Sequence, residues 1–298
     1  MPNPRKCPVK NHAAAYLDFV QSGVELIRKG HKLPLGGADT VRSNGKGAKV
    51  LILSPHPDDE CVMAALPLRL QEEIGCEIVN YAVTLGSNAA RKDGRLAELR
   101  DACAILGFRN EVPNQGRGFD KVNPKSRLAD PADWQKKVEE TAAFLLAERP
   151  ALVTFPHDDD FNSTHIGVHH LGMDALKLAS QRDPSFKTSI LETEFWHAMN
   201  GPNLLIGVSA EQEALTIAAL AAHTGEVERN PYHLLHPGRM MDNVMRGSEV
   251  VGGQGGAAVS FDFAMIYRLS RWSAGAQQAP WPNGRTFAPG QSLKEILG

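Results

Sequence analysis

A chain of 298 residues, 42% apolar and 22% charged with a formal net charge of −2, is long enough to bury a substantial core. The near balance of charge offers no basic face for nucleic acid, and no apolar stretch of about 20 residues offers a membrane span. The opening "MPNPRKCPVKNHAAAYLDF" lacks the apolar centre of a secretory signal, and Cys7, Cys61, Cys76 and Cys103 lack paired spacing, so reduced thiols in a cytoplasmic protein are expected.

Residues 1–47 hold an amphipathic stretch, "AAAYLDFVQSGVELIRKG", and a Gly-rich connector, "LGGADTVRSNGKG". They predict an N-terminal helix lying against a main domain that spans 48–298. "KVLILSP" is a short continuous apolar run, as a strand buried on both faces requires. A helix follows over about 60–74, stopped by Gly75 as a natural C-cap. "CEIVNYAVT" predicts the next strand, and "GRLAELRDACAILGF" a helix ending at Gly107. "DPADWQKKVEETAAFLLAERP" opens on acids and closes on Arg149, as a helix dipole prefers. "ALVTFP" is another buried strand, leading through "DDDFNSTHIGVHHLGMDALKLA" into a helix. "SILETEFWHAM" and "NLLIGVS" predict later strands and "AEQEALTIAALAAH" a helix. This alternation implies an α/β fold: a Rossmann-like, mainly parallel sheet with helices on both faces and ligands at the carboxyl ends of its strands.

Two acidic, histidine-bearing segments fall at such ends. In "SPHPDDEC", Asp58 and Asp59 either cap the next helix or hold a cation. A cap needs one acid, whereas this segment crowds three carboxylates beside an imidazole, and a bound cation relieves their repulsion. "PHDDDFNSTHIGVHH" repeats the combination after a second strand. A catalytic zinc takes three ligands from His, Asp or Glu; His56 and Asp59 with one histidine of the second segment would supply them. His165 and His169, four apart on a helix, are both candidates. Asp158, Asp159 and Asp160 are expected to orient ligands or cap the helix, with at least two of them in a solvated loop.

"PHPDDE" after a first strand resembles the first motif of the PIG-L/LmbE-like zinc-dependent N-deacetylases, and the likeness continues in order over residues 49 to 225. "RLAELRDACAILG" is similar to the family's R-x-x-E-x-x-x-A-x-x-x-L-G helix through Arg95, Glu98, Ala102, Leu106 and Gly107; "STHIGVHHLGMDAL" fits the zinc-histidine helix with His165 in the metal position; "ALAAHTGE" resembles a later A-x-x-x-H element at His223. The resemblance implies that His56, Asp59 and His165 bind zinc or another divalent ion, that Asp58 is the general base, and that Arg95, Asn162 and His223 meet the substrate. It implies an enzyme removing an N-acyl group, most often acetyl, from a glucosamine-like sugar or conjugate. Such a protein needs no nucleic-acid or membrane partner, and a homo-oligomer is compatible with it.

The chain departs from the family pattern in three places. "NSTH" stands where H-x-D-H is usual, so Asn162 replaces a histidine credited with stabilising the transition state, and Thr164 replaces an aspartate. Ala65 and Leu66 precede Pro67 where a glycine pair is common, which implies repacking. Asn162 can donate to an oxyanion but cannot protonate an amine, so His169, His223 and His233 are candidates for that task. The tract from Asn230 to the "GGQGGAA" patch reads as a loop, mobile or plainly connecting, from which Tyr232, His233, Arg239 or Arg246 could touch substrate. Two other readings follow from the same residues: an amide hydrolase acting on a non-sugar metabolite, and a scaffold that keeps the metal without catalysis. A nucleotide-binding Rossmann protein is excluded, since no G-x-G-x-x-G follows the first strand.

Overall fold

The computed structural model describes residues 9–37, 41–251 and 259–297. Cys7 and the "GGQGGAA" patch lie outside the described residues. Helix α1 (Val9–Gly30) precedes β1 (Lys49–Ser54), the single turn α2 (Asp59–Val62) and α3 (Ala65–Ile74). Next come β2 (Glu77–Ala82), α4 (Lys92–Leu106), β3 (Arg109–Glu111) and the short α5 (Pro113–Gly116) and α6 (Pro124–Ala129). The long α7 (Pro131–Glu148), β4 (Leu152–Pro156), α8 (Ser163–Arg182), β5 (Lys187–Thr193) and β6 (Leu204–Val208) follow. The chain closes with α9 (Ala210–Ala222), α10 (Thr224–Val227), α11 (His236–Val250), β7 (Phe263–Ser273), β8 (Ala276–Gln278), β9 (Arg285–Phe287) and α12 (Lys294–Leu297).

The strands form one sheet in the order β3-β2-β1-β4-β5-β7-β6-β9, with β8 beside β7. β3, β2, β1, β4 and β5 are all parallel. β7 runs antiparallel to both β5 and β6, so among the described strands it alone opposes the common direction. Strand β1 is buried along Val50–Leu53, as its unbroken apolar run demands. One side of the sheet carries a core from α3, α4 and α9, including Leu66, Leu99 and Leu220. The other carries α7 and α8, with Trp134, Leu145, Val168 and Leu176 against Leu51, Leu53 and Phe155. Because β1 pairs with β2 on one flank and β4 on the other, the chain order reverses at the β1–β4 junction. That is where a Rossmann-like sheet opens a crevice at its carboxyl edge.

Local signals behaved as physics requires. Gly75 (φ 80°) and Gly107 (φ 73°) take the left-handed conformation that ends α3 and α4. The single helix expected over 60–74 is instead broken in two. Pro67 has no N–H to give the carbonyl of Met63, and the Tyr267 hydroxyl fills the break, accepting from Leu66 N (3.1 Å).

Two expectations are corrected. Helix α1 does not lie on the core: Tyr16, Phe19 and Val20 are 68%, 76% and 57% exposed. The connector does meet the core, with Gly36 N donating to the Ala221 carbonyl and Arg42 N to that of Ala104 (3.0 Å each). The tract after Asn230 is not a plain loop, because α11 occupies most of its described part. Its Val244 packs with Val251 on Leu205, Ala264 and Ile266, and Asn243 donates to the Ala264 carbonyl (3.1 Å). No described helix is long and apolar enough to cross a membrane.

Candidate active site and metal centre

At the end of β1 the chain turns sharply. Asp58 adopts φ 117° and ψ −30°, a conformation costing a non-glycine residue about 1–3 kcal/mol. Neighbours hold it there: Asp58 N donates to Glu60 Oε2 (2.9 Å) and Asp58 O accepts from Cys61 N (3.1 Å). Arg95 Nη2 donates to the Pro57 carbonyl (3.2 Å) and Thr84 Oγ1 to that of Pro55 (2.7 Å). Asp58 is the N-cap of α2 by position, yet its carboxylate makes no capping bond. It accepts a hydrogen bond from the Tyr232 hydroxyl at Oδ2 (2.7 Å). Asp59 does not serve as a side-chain cap either. Its Oδ2 accepts from His56 N (2.9 Å) and lies 3.1 Å from His56 Nδ1 and 3.2 Å from His165 Nε2.

His165 comes from the second segment, on the first turn of α8. Asn162 caps that helix through Oδ1, which accepts from Thr164 N (2.8 Å). The buried Asp160 accepts from Asn162 N (2.8 Å) and from Trp196 N (3.2 Å), and its Oδ2 stands 3.6 Å from His165 Nδ1. A carboxylate behind a ligating imidazole fixes ring orientation and tautomer. Asp158 instead meets Arg268 (3.0 Å) and Asp159 is exposed. His169 turns away, with Nδ1 3.1 Å from the Pro156 carbonyl and 3.4 Å from Glu192.

The electrostatics separate the two aspartates. Burial, and then the charge of Asp59, push Asp58 up to about 7. Burial acts on Asp59 in the same direction, but His165 and His56 overcome it and hold that carboxyl well below the usual range. For His165, burial opposes charging while Asp59 and Asp160 push it up to about 10. His56, Asp59 and His165 each offer one ligand atom, all within 4.8 Å of one another. Two imidazole nitrogens and a carboxylate oxygen in this arrangement fit a divalent ion such as zinc, and His/Asp ligation also suits other divalent ions.

These groups floor a cleft of about 580 Å³ whose walls include Arg91, Arg95, Asn162, Phe195, Trp196, Glu226, Arg229, Tyr232, His236 and Arg239. The structure therefore gathers His56, Asp58, Asp59, Arg95, Asn162 and His165 around one space. His223 is elsewhere: fully buried, it lies outside the cleft wall with Nε2 2.7 Å from Glu60 Oε1. Glu60 in turn holds the amide of Asp58, so His223 braces the strained turn. His233 is likewise buried away from the cleft. Sequence reasoning named Tyr232 only among loop contacts and missed His236 and Glu226, for which no local spacing gave a signal.

Residues 51–176 match the family model described as PIG-L, GlcNAc-PI de-N-acetylase. Two relatives carry the name 1D-myo-inositol 2-acetamido-2-deoxy-alpha-D-glucopyranoside deacetylase. The one from Thermobispora bispora is 29% identical over 164 residues, 46% of this chain and 54% of its own length. The one from Thermobifida fusca is 25% identical over 186 residues, 53% of this chain and 64% of its own. The chain thus spans between about half and two thirds of these relatives. Among solved structures, a conserved protein from Thermus thermophilus is similar with a TM-score of 0.57 at 20% identity, over 83% of this chain and 100% of that one. An N,N'-diacetylchitobiose deacetylase from Pyrococcus horikoshii gives 0.52 at 16%, over 74% and 83%. A 4-carboxy-2-hydroxymuconate hydratase from Pseudomonas putida gives 0.53 at 17%, over 75% and 96%. At these identities the likeness is one of fold, and the hydratase shows that the fold carries more than one reaction.

Proposed function

From the premise that this chain carries a PIG-L-family domain, we propose that it is a metal-dependent N-deacetylase acting on a glucosamine-like sugar or conjugate. The observation that carries the reading is the convergence of two distant segments on one oxygen: Asp59 Oδ2 lies 3.1 Å from His56 and 3.2 Å from His165. A divalent ion held by those three side chains would supply Lewis acidity, lowering the pKa of water and polarising the acyl oxygen.

The chain's own groups do the rest. Asp58 accepts the proton of the attacking water; a carboxyl poised at about 7 suits a base working near neutrality. The Tyr232 hydroxyl occupies its Oδ2 and so fixes the plane in which Oδ1 acts. Asn162 spends its carbonyl oxygen on the helix cap, which leaves its NH2 to donate to the developing oxyanion, a contribution typically worth about 10²–10³ in rate. Arg95, near Glu226 at 3.5 Å, makes a polar wall for hydroxyl groups, and the aromatic faces of Phe195 and Trp196 offer a platform for a sugar ring. The two named inositol-linked deacetylases support the sugar reading.

The test is release of free amine from a panel of N-acetylated sugars and acylated non-sugar amines by the metal-loaded protein. Turnover on N-acetylglucosamine conjugates is expected, with Asp58→Asn slower by at least about 10² at unchanged metal content. Turnover confined to the non-sugar amines would reject the sugar assignment. Bound metal without hydrolysis of any member would leave only a scaffold.

A further inference from the structure

Deacetylation needs an acid for the departing nitrogen, and the family histidine that stands at Asn162 is absent from this chain. Of the histidines considered for the task, His169 bonds the Pro156 carbonyl, His223 is locked to Glu60, and His233 lies off the cleft. Among the described residues, the cleft wall has one further imidazole besides those of His56 and His165: His236, at the start of α11. Its side chain is 5% exposed, and Nδ1 sits 2.7 Å from Oε1 of the equally buried Glu213 on α9. His236 Nε2 and Glu213 Oε2 have almost no exposed surface and no hydrogen-bond partner among the described residues. An unpartnered buried group calls for an explanation such as a catalytic task, and the side chains over Nε2 must part for it to meet a ligand. Four residues earlier, Tyr232 places its hydroxyl on Asp58, so this turn of chain abuts the reacting centre.

Resting on the deacetylase reading, we propose that His236, oriented by Glu213, protonates the leaving amine. A carboxylate on Nδ1 fixes the tautomer and supports the charged ring, leaving Nε2 to exchange a proton with a ligand. As water adds to the acyl carbon, its proton passes to Asp58. The C–N bond then breaks, its electron pair stays on nitrogen, and that nitrogen takes the proton of His236 Nε2 while the carbonyl re-forms as the acid. After product release the imidazole regains a proton through the same opening by which Nε2 met the ligand, and Asp58 gives its own up.

The experiment compares wild type with His236→Gln and Glu213→Gln as full-length, metal-loaded proteins, on the best N-acetyl substrate of the panel in H₂¹⁸O. The expected result for His236→Gln is a kcat lower by about 10²–10³, KM within about threefold and metal content unchanged. Unreacted substrate should gain ¹⁸O, because an adduct that cannot expel its amine reverts. Glu213→Gln, which keeps the shape and the hydrogen bond, should lose about tenfold or more in kcat. A His236→Gln kcat within threefold of wild type overturns the assignment, as does a loss that merely tracks lost metal or comes without ¹⁸O exchange. If His236→Gln does not fold, an unchanged kcat for Glu213→Gln overturns it instead. An inactive wild type would sink the deacetylase reading and this one with it; an active wild type with an active variant sinks this one alone.

Discussion

Asp58 concentrates the cost of the site in one residue. It combines a left-handed backbone with a carboxylate crowded by Asp59, and both features oppose folding. Asp58→Gly should therefore relieve strain and repulsion together, raising stability by about 1 kcal/mol while lowering kcat by at least about 10². Thermal unfolding and amine release measure the two halves; a variant that is less stable than wild type would show that the turn is not strained. His223 makes the opposite case. Its imidazole is pushed up by Glu60 against the opposing effect of burial, and removing one partner of a buried pair costs about 3–5 kcal/mol. His223→Ala is expected to unfold at markedly lower temperature, with KM little changed for the protein that remains folded. An unmoved Tm with a raised KM would restore the substrate-binding role expected from sequence.

At the scale of elements, α8 shows how packing positions a candidate ligand. Gly167 lies two residues beyond His165, and a Cβ there would stand 2.5 Å from the Val122 carbonyl oxygen and 2.7 Å from Asn123 Cα. Backbone cannot step aside as a side chain can, so Gly167→Ala must shift the helix. The expected loss is about 1–3 kcal/mol together with about tenfold in metal affinity, since misplaced support of a ligating imidazole typically costs that much or more. Competition with a chromophoric chelator reads the second quantity. Gly94 in α4 is the control: nothing lies within 4 Å of its would-be Cβ, and Gly94→Ala should stabilise by about 0.5–1 kcal/mol.

These elements also mark how far sequence alone could reach. β1, β4 and the glycine stops of α3 and α4 were legible because an unbroken apolar run or a left-handed cap is a local property. The pairing of "HPDDE" with the loop before α8 was legible because both follow buried strands of one sheet. β7 was not, because its place between β5 and β6 depends on partners far away in the chain. Nor was the His236–Glu213 contact, which joins residues 23 apart on different helices. α1 misled for the converse reason: its amphipathic pattern is real and local, but an amphipathic pattern does not name a partner, and Tyr16, Phe19 and Val20 stay exposed.

The whole molecule should respond to metal removal in its activity far more than in its fold. The sheet and its two flanking cores hold Leu51, Leu53, Leu66, Phe155 and Val168 fully buried without help from the candidate ligands. Asp59 also keeps partners in the absence of an ion, because both imidazoles already reach its Oδ2. Chelation should thus abolish turnover and leave the circular dichroism spectrum unchanged. It should still lower Tm, since an ion bound only by the folded state contributes about 2.7 kcal/mol when present at a hundred times its Kd, and each kcal/mol is worth about 2–4 °C in a chain of this class. A fall of several degrees that reverses when zinc is restored fits a catalytic ion seated on a preformed floor. Collapse of the fold on chelation would instead make the metal a structural one, and a Tm indifferent to both chelator and zinc would mean that His56, Asp59 and His165 hold no ion.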